Sequence, residues 1–207
     1  MNEDAKVEPT VKKPTCNIIV IDDFYPNPEQ IREDVLKQEF TVYGNFPGER
    51  TRSFATEELK ANIQAYIPEP IVQFDIPPSN DLFQRMDNGA FQYTTSRNRS
   101  WIHMDPYTNW AGVLFLTPNA PLTSGTGFYQ FQDGTMTETD LIYKQNQAVT
   151  DRFAQDITKW KLVDQVGNVF NRLVLFNSKR FHMSMDYFGD TLENGRLFQV
   201  FFFTTKK

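Results

Sequence analysis

Residues 100–117 read SWIHMDPYTNWAGVLFLT. A strand is predicted over Ser100–His103, a break at Pro106, and a second strand over Gly112–Thr117. His103 and Asp105 stand two residues apart at the end of the first run. In extended backbone, residues i and i+2 face the same side, so this imidazole and this carboxylate can converge on one ion. Short strand-like runs continue on both sides, at Leu82–Met86, Ala90–Thr95, Gly127–Gln132, Arg172–Phe176, Phe181–Met185 and Leu197–Thr204. Short strands separated by turns predict a sandwich or jelly roll.

The N-terminal half reads differently. Residues 1–15 are polar and Pro-punctuated, which predicts a flexible tail. Asn17–Ile21 is a β-branched run and reads as a buried strand, broken by Asp22-Asp23-Phe24-Tyr25-Pro26. A helix is expected from Pro28 to about Gln38, with Asn27 as its cap. Residues 41–53 hold Gly44, Pro47 and Gly48 and read as a loop. Thr56-Glu57-Glu58-Leu59 is a helix start, and that helix should end before Pro68. A polar segment from Asp133 to about Gly167 interrupts the strands. It is expected to hold a helix near Ala148–Trp160 and to act as a lid over the site.

A chain of 207 residues with 40% apolar and 23% charged residues fits one globular domain. The net charge of -5 disfavours nucleic acid, whose backbone calls for a basic face. The single Cys16 excludes an internal disulfide or a multi-cysteine zinc site. No apolar run reaches the roughly 18–20 residues of a membrane helix. Met1-Asn2-Glu3-Asp4 opens without the apolar segment of a secretory signal, so a cytoplasmic setting is expected.

His182 is the other histidine of two, 77 residues after Asp105. Two imidazoles and one carboxylate occupy one face of an octahedron and leave the opposite face open. That arrangement suits non-haem Fe(II), whose open positions take a chelating co-substrate and O₂. The competing reading makes each histidine an ordinary structural residue. Arg196 opens the last strand, 14 residues after His182. It fits a dicarboxylate anchor through a bidentate fork, or equally a surface arginine paired with Asp190 or Glu193. Trp101 and Trp110 either line a substrate pocket or pack in the core. Asn109 either supports a ligand or shapes the turn after Pro106.

With these residues in view, the chain from about residue 82 onward resembles the 2-oxoglutarate/Fe(II)-dependent dioxygenase superfamily. The likeness is greatest to its prolyl-4-hydroxylase-like branch. It rests on His103-x-Asp105, on NRLVLFNSKRFHMS at 171–184, and on the Arg196 that follows. The entry segment Ile18–Phe24 is similar as well. The resemblance implies a mostly β fold, a double-stranded β-helix (jelly roll) core with packed N-terminal helices. The expected organisation is a tail over 1–15 and a single dioxygenase domain over 16–207. Within that domain lie a helical part over about 16–80, a core over about 82–207 and an insertion over about 133–167. It implies Fe(II) held by His103, Asp105 and His182, and 2-oxoglutarate anchored by Arg196. Many members carry Ser or Thr two residues after that arginine, where this chain has Phe198. Tyr93 or Thr95 are then the candidates for the second partner of the far carboxylate, with Asn109 as a further co-substrate contact. The implied activity is hydroxylation of a small-molecule or peptide substrate by O₂, with release of succinate and CO₂. Two other readings remain: a non-catalytic metal-binding jelly-roll module, and a zinc-dependent hydrolase. The hydrolase reading lacks an H-E-x-x-H and a third histidine.

Overall fold

The computed structural model describes residues 16–78, 87–134 and 152–206. Its organising element is β10 (Arg196–Thr205), the longest strand and almost wholly buried. On its two sides β10 pairs antiparallel with β5 (Trp110–Phe115) and β4 (Ala90–Thr94). β8 (Leu173–Asn177) and β1 (Ile18–Ile21) extend the sheet beyond β5, and β2 (Glu49–Ser53) extends it beyond β4. β3 (Ile71–Phe74) pairs with the far end of β10, giving seven strands in all. A smaller sheet runs β7-β6-β9, with β6 at Thr126–Phe131, β7 at Trp160–Val166 and β9 at His182–Ser184.

Both faces of the large sheet's central strands β5, β8 and β10 are buried, so these read as near-continuous apolar runs rather than alternating ones. Alternate side chains still separate cleanly. Ala111, Phe115, Val174, Phe176, Phe198 and Val200 point towards the small sheet and pack with its Phe128. The Phe128 and Phe176 rings meet edge-on at 5.2 Å. Leu114, Leu173, Leu175, Leu197, Phe201 and Phe203 point the other way. They pack with Val35 of α1 (Pro28–Val35) and with Leu59 and Ile63 of α2 (Glu57–Gln64). The Thr56 hydroxyl accepts the Leu59 N–H at 3.1 Å and starts α2. The Gln64 side chain ties its end to β3, accepting the Ile71 N–H at 2.7 Å.

Several local expectations change. α1 keeps Pro28 in its first turn, but Asn27 makes no side-chain cap bond and the helix stops at Val35. The 41–53 loop contains β2, whose all-polar sequence ERTRS hides a strand that buries Arg50, Thr51 and Ser53 beside β4. β3 lies unforeseen between prolines because its partner, the end of β10, is remote in sequence. Ser100–His103 forms no strand; only His103 bridges to His182. The helix expected near Ala148–Trp160 does not reach Trp160, which opens β7 after a short 3-10 turn at Ile157–Lys159. β7 pairs with β6 along its length, so residues 160–166 are sheet and not lid. The tail, Leu82–Met86 and residues 135–151 of the insertion lie outside the described residues. Among the described residues, no helix is long and apolar enough to cross a membrane.

This packing gives a graded expectation for α2. Ile63→Ala, at 0% exposure, should lower unfolding stability by about 2–5 kcal/mol. Thr56→Ala, which removes a single cap bond, should lower it by about 1 kcal/mol. Urea titration reads both, and equal losses would contradict the packing described.

Candidate metal centre

The two histidines are brought together by the backbone. The His103 N–H donates to the His182 carbonyl at 3.0 Å, and the His182 N–H donates back at 2.8 Å. A reciprocally bonded antiparallel pair puts both side chains on one face. The Asp105 N–H donates to the Ser178 carbonyl at 2.9 Å, which holds the loop after His103 against the turn before His182. The Ser178 hydroxyl donates in turn to the Thr108 carbonyl. One ligand atom from each of His103, Asp105 and His182 lies within 4.8 Å of the others. His182 Nε2 is 3.4 Å from Asp105 Oδ2.

The ring orientations are fixed in the same way on both strands. A carbonyl can only accept, so each neighbouring Nδ1 carries the proton. His103 Nδ1–H donates to the Trp101 carbonyl at 3.0 Å, and His182 Nδ1–H to the Arg180 carbonyl at 2.9 Å. In the neutral ring, each Nε2 is then the nitrogen free to bind a metal. Burial pulls the His182 pKa from 6.5 to about 4, helped by the adjacent His103 and opposed by Asp105. A neutral imidazole at physiological pH is the form that ligates. Phe176 sits against His182 with ring centroids 4.6 Å apart, an apolar wall beside the ligands.

The triad lies on a cavity of about 790 Å³ whose walls include Trp101, Thr126, Phe176, Phe198 and Arg50. Beyond Phe198 stands Arg196, with 0% exposure. Its Nε donates to the Ser124 carbonyl at 2.8 Å and its Nη2 to the Gly125 carbonyl at 3.4 Å. The guanidinium carbon lies 4.3 Å from the Phe198 ring centroid and 5.2 Å from that of Phe115. Among the described residues, Nη1 has no hydrogen-bond partner, and neither have the buried hydroxyls of Thr94, Thr126 and Tyr187. Thr94 is the direct register partner of Arg196 across β4 and β10. Thr126 follows the carbonyl of Gly125 that Arg196 binds, and Tyr187 is close enough to act on the arginine charge. Burial lowers the Arg196 pKa to about 10, so the group stays cationic at neutral pH. A buried cation with unsatisfied hydroxyls on neighbouring residues fits an anion.

The other sequence candidates separate. Trp101 lines the cavity, 6.2 Å from the His103 ring. Trp110 stacks on Phe203 on the helix-covered face of the large sheet, away from the triad. Asn109 pins β5 to the end of β10, accepting the Thr205 N–H at 2.9 Å. Tyr93 packs edge-on to Phe40 on the helix side. The Thr95 N–H donates to Asn98 Oδ1 in a turn. The inward-facing residue between Tyr93 and Thr95 is Thr94. The surface alternative for Arg196 falls: no carboxylate pairs with it among the described residues. The Asp190 carboxylate instead accepts from Asn194, and the Glu193 carbonyl from Arg32. Sequence reasoning missed Thr94, Thr126, Tyr187 and Arg50. For Thr94 the usable signal was strand parity opposite Arg196. The polar run 49–53 carried none for Arg50.

The arrangement of the two sheets is one found in solved 2-oxoglutarate-binding and prolyl hydroxylase structures. The chain is similar to HygX from Streptomyces hygroscopicus, solved with nickel and 2-oxoglutarate bound. The TM-score is 0.58 at 11% identity, over 89% of this chain and 81% of that one. A second HygX structure, with nickel, 2-oxoglutarate and hygromycin B, matches at TM-score 0.54 and 13% identity over the same shares. A prolyl hydroxylase from Trichoplax adhaerens, in complex with a hypoxia inducible factor peptide fragment, matches at 0.52 and 11% identity, over 90% and 83%. Residues 4–203 match the family model DUF6445, described as a family of unknown function, and the chain belongs to that family. No curated protein matches the chain significantly.

Because His182 is depressed in the folded state, the unfolded chain takes up its proton first. In chelator-treated protein, this contribution is fully present above about pH 6.5. It should be lost as pH falls toward 4, by roughly 3 kcal/mol. Denaturant midpoints across this window should slope downward for wild type and less so for His182→Gln. Equal slopes would contradict the assignment.

Proposed function

We propose that this protein is a non-haem Fe(II)- and 2-oxoglutarate-dependent oxygenase built as one domain around a double-stranded β-helix. In this reading it hydroxylates a small molecule or peptide. The observation that carries the reading is an unneutralised, fully buried Arg196 on the same inner face as the His103–Asp105–His182 set. A structural metal alone has no use for such a group. The spacing supports it. Thr126 pairs with Ser184 and Phe128 with His182 in the β6–β9 ladder. Two residues of strand separate the imidazole level from the Thr126 level, about 7 Å by strand rise, which suits a five-carbon dicarboxylate. HygX, a match in fold, was crystallised with nickel and 2-oxoglutarate.

The residues divide the work simply. His103, Asp105 and His182 would hold the ferrous ion. Arg196 takes the far carboxylate of 2-oxoglutarate by charge, with Thr94, Thr126 and Tyr187 as donors around it. When bound with 2-oxoglutarate and O₂, the iron supplies the oxidising power to hydroxylate a C–H bond as succinate and CO₂ form. Phe128, Phe176 and Phe198 keep water from that volume and limit stray oxidation. The Trp101 and Arg180 carbonyls keep both imidazoles turned to the ion.

Calorimetric titration of 2-oxoglutarate into Mn(II)-loaded protein tests this reading, with succinate release in air as a second readout. Arg196→Leu should weaken 2-oxoglutarate binding roughly 10–100-fold while Mn(II) affinity is retained. Thr126→Val, nearly isosteric, should weaken it by less. His103→Ala should lose both metal and co-substrate. Unchanged 2-oxoglutarate affinity in a folded Arg196→Leu protein would sink the reading.

A further inference from the structure

The cavity wall carries a buried cation that belongs neither to the triad nor to the Arg196 cradle. Arg50, on β2, is 7% exposed and forms part of the cavity wall. Its Nε donates to Gln92 Oε1 at 2.5 Å and its Nη1 to Asp87 Oδ1 at 2.7 Å. The guanidinium carbon lies 3.7 Å from the Phe46 ring centroid, so one face is covered by that ring. Gln92 is itself held, its Nε2 donating to the Pro47 carbonyl at 2.5 Å. The guanidinium is therefore fixed in place, and its Nη2 has no hydrogen-bond partner among the described residues. Asp87 gives one oxygen to Arg50, and its side chain is 59% exposed on the same wall. Asp75 joins it there, its carbonyl accepting from Asn88 Nδ2 at 2.9 Å.

The charges on this wall select a ligand. The Arg50 charge is already balanced by the Asp87 carboxylate, so a dianion such as phosphate gains no net attraction there. A simple amine leaves the Arg50 donor unmatched in a partly desolvated site, which is costly. A molecule with both a carboxylate and an ammonium satisfies each side: the acid on Nη2, the amine on the remaining Asp87 oxygen. Its dipole would lie opposed to that of the Arg50–Asp87 pair. The 2-oxoglutarate dianion is served better by Arg196, which has no competing carboxylate. We propose that the Arg50–Asp87 pair is the substrate-recognition subsite. It takes the carboxylate and ammonium of a zwitterionic, amino-acid-like molecule and presents its carbon skeleton to the metal centre. The word substrate rests on the oxygenase reading above; the zwitterion site itself does not. Trp101, Phe46 and Phe202 on the same cavity would enclose an apolar body.

Three probes of one skeleton test this: L-phenylalanine, 3-phenylpropionate and phenethylamine. They are titrated by NMR into the full chain, with and without Mn(II) and 2-oxoglutarate. L-phenylalanine should bind at least roughly tenfold more tightly than either singly charged probe, the scale of one charged hydrogen bond. Arg50→Gln should erase its advantage over phenethylamine. Asp87→Asn, an exposed and conservative change, should erase its advantage over 3-phenylpropionate. Arg196→Leu should leave both advantages intact. Equal binding of the three probes, no measurable L-phenylalanine binding, or an advantage that survives both wall variants overturns the proposal. So does displacement of L-phenylalanine by 2-oxoglutarate with loss in Arg196→Leu, which would place the acid in the inner cradle. Charge-selective binding without any 2-oxoglutarate binding upholds this subsite and removes the oxygenase reading; the reverse pattern does the opposite.

Discussion

A guanidinium with no exposure and no carboxylate partner is an expensive thing to bury. Arg196 is held by two backbone carbonyls and two aromatic rings, which orient it without neutralising it. Its remaining nitrogen and the buried hydroxyls of Thr94, Thr126 and Tyr187 have no hydrogen-bond partner among the described residues. Such a cluster makes sense if a visiting anion completes it. The cost of the arrangement is carried by the rest of the fold, chiefly the doubly covered sheet in which β10 is central.

That sheet also explains how the three proposed metal ligands reach one point. Arg196 and Phe198 leave β10 on the face that meets the small sheet. His182 lies on the small sheet, opposite Phe176 and Phe128, and its backbone alone recruits His103. The carbonyls two residues before each histidine then fix the rings. The proposed metal site and the proposed anion cradle are consecutive layers between the same two sheets. The Arg50 wall closes the cavity from the side of β2.

What could be read in the sequence follows from how local each signal is. His103 and Asp105 declared themselves through a spacing of two, and Arg196 through its place at the head of an apolar strand. The pairing of His103 with His182 depends on contacts across some eighty residues, and no periodicity encodes it. The inward residue on β4 is Thr94 rather than Tyr93 or Thr95. Both faces of that strand are buried, so the usual apolar–polar alternation gave no guide to which side faces the site. Arg50 was hidden for a related reason. ERTRS looks like solvated loop, and only its pairing with β4 makes it a wall. Trp160 falls at the end of the helix expected over Ala148–Trp160, and only its pairing with Phe131 of β6 makes it the first residue of a strand.

The most direct measurement is a crystal structure after soaking with Mn(II) and 2-oxoglutarate, with anomalous scattering collected to place the ion. The account predicts one anomalous peak within bonding distance of His103 Nε2, His182 Nε2 and an Asp105 oxygen. It also predicts one dicarboxylate whose far end sits on Arg196 Nη1 among Thr94, Thr126 and Tyr187. An ion bound elsewhere, or a dicarboxylate whose far end lies on Arg50 with the Arg196 cradle unchanged, would contradict it.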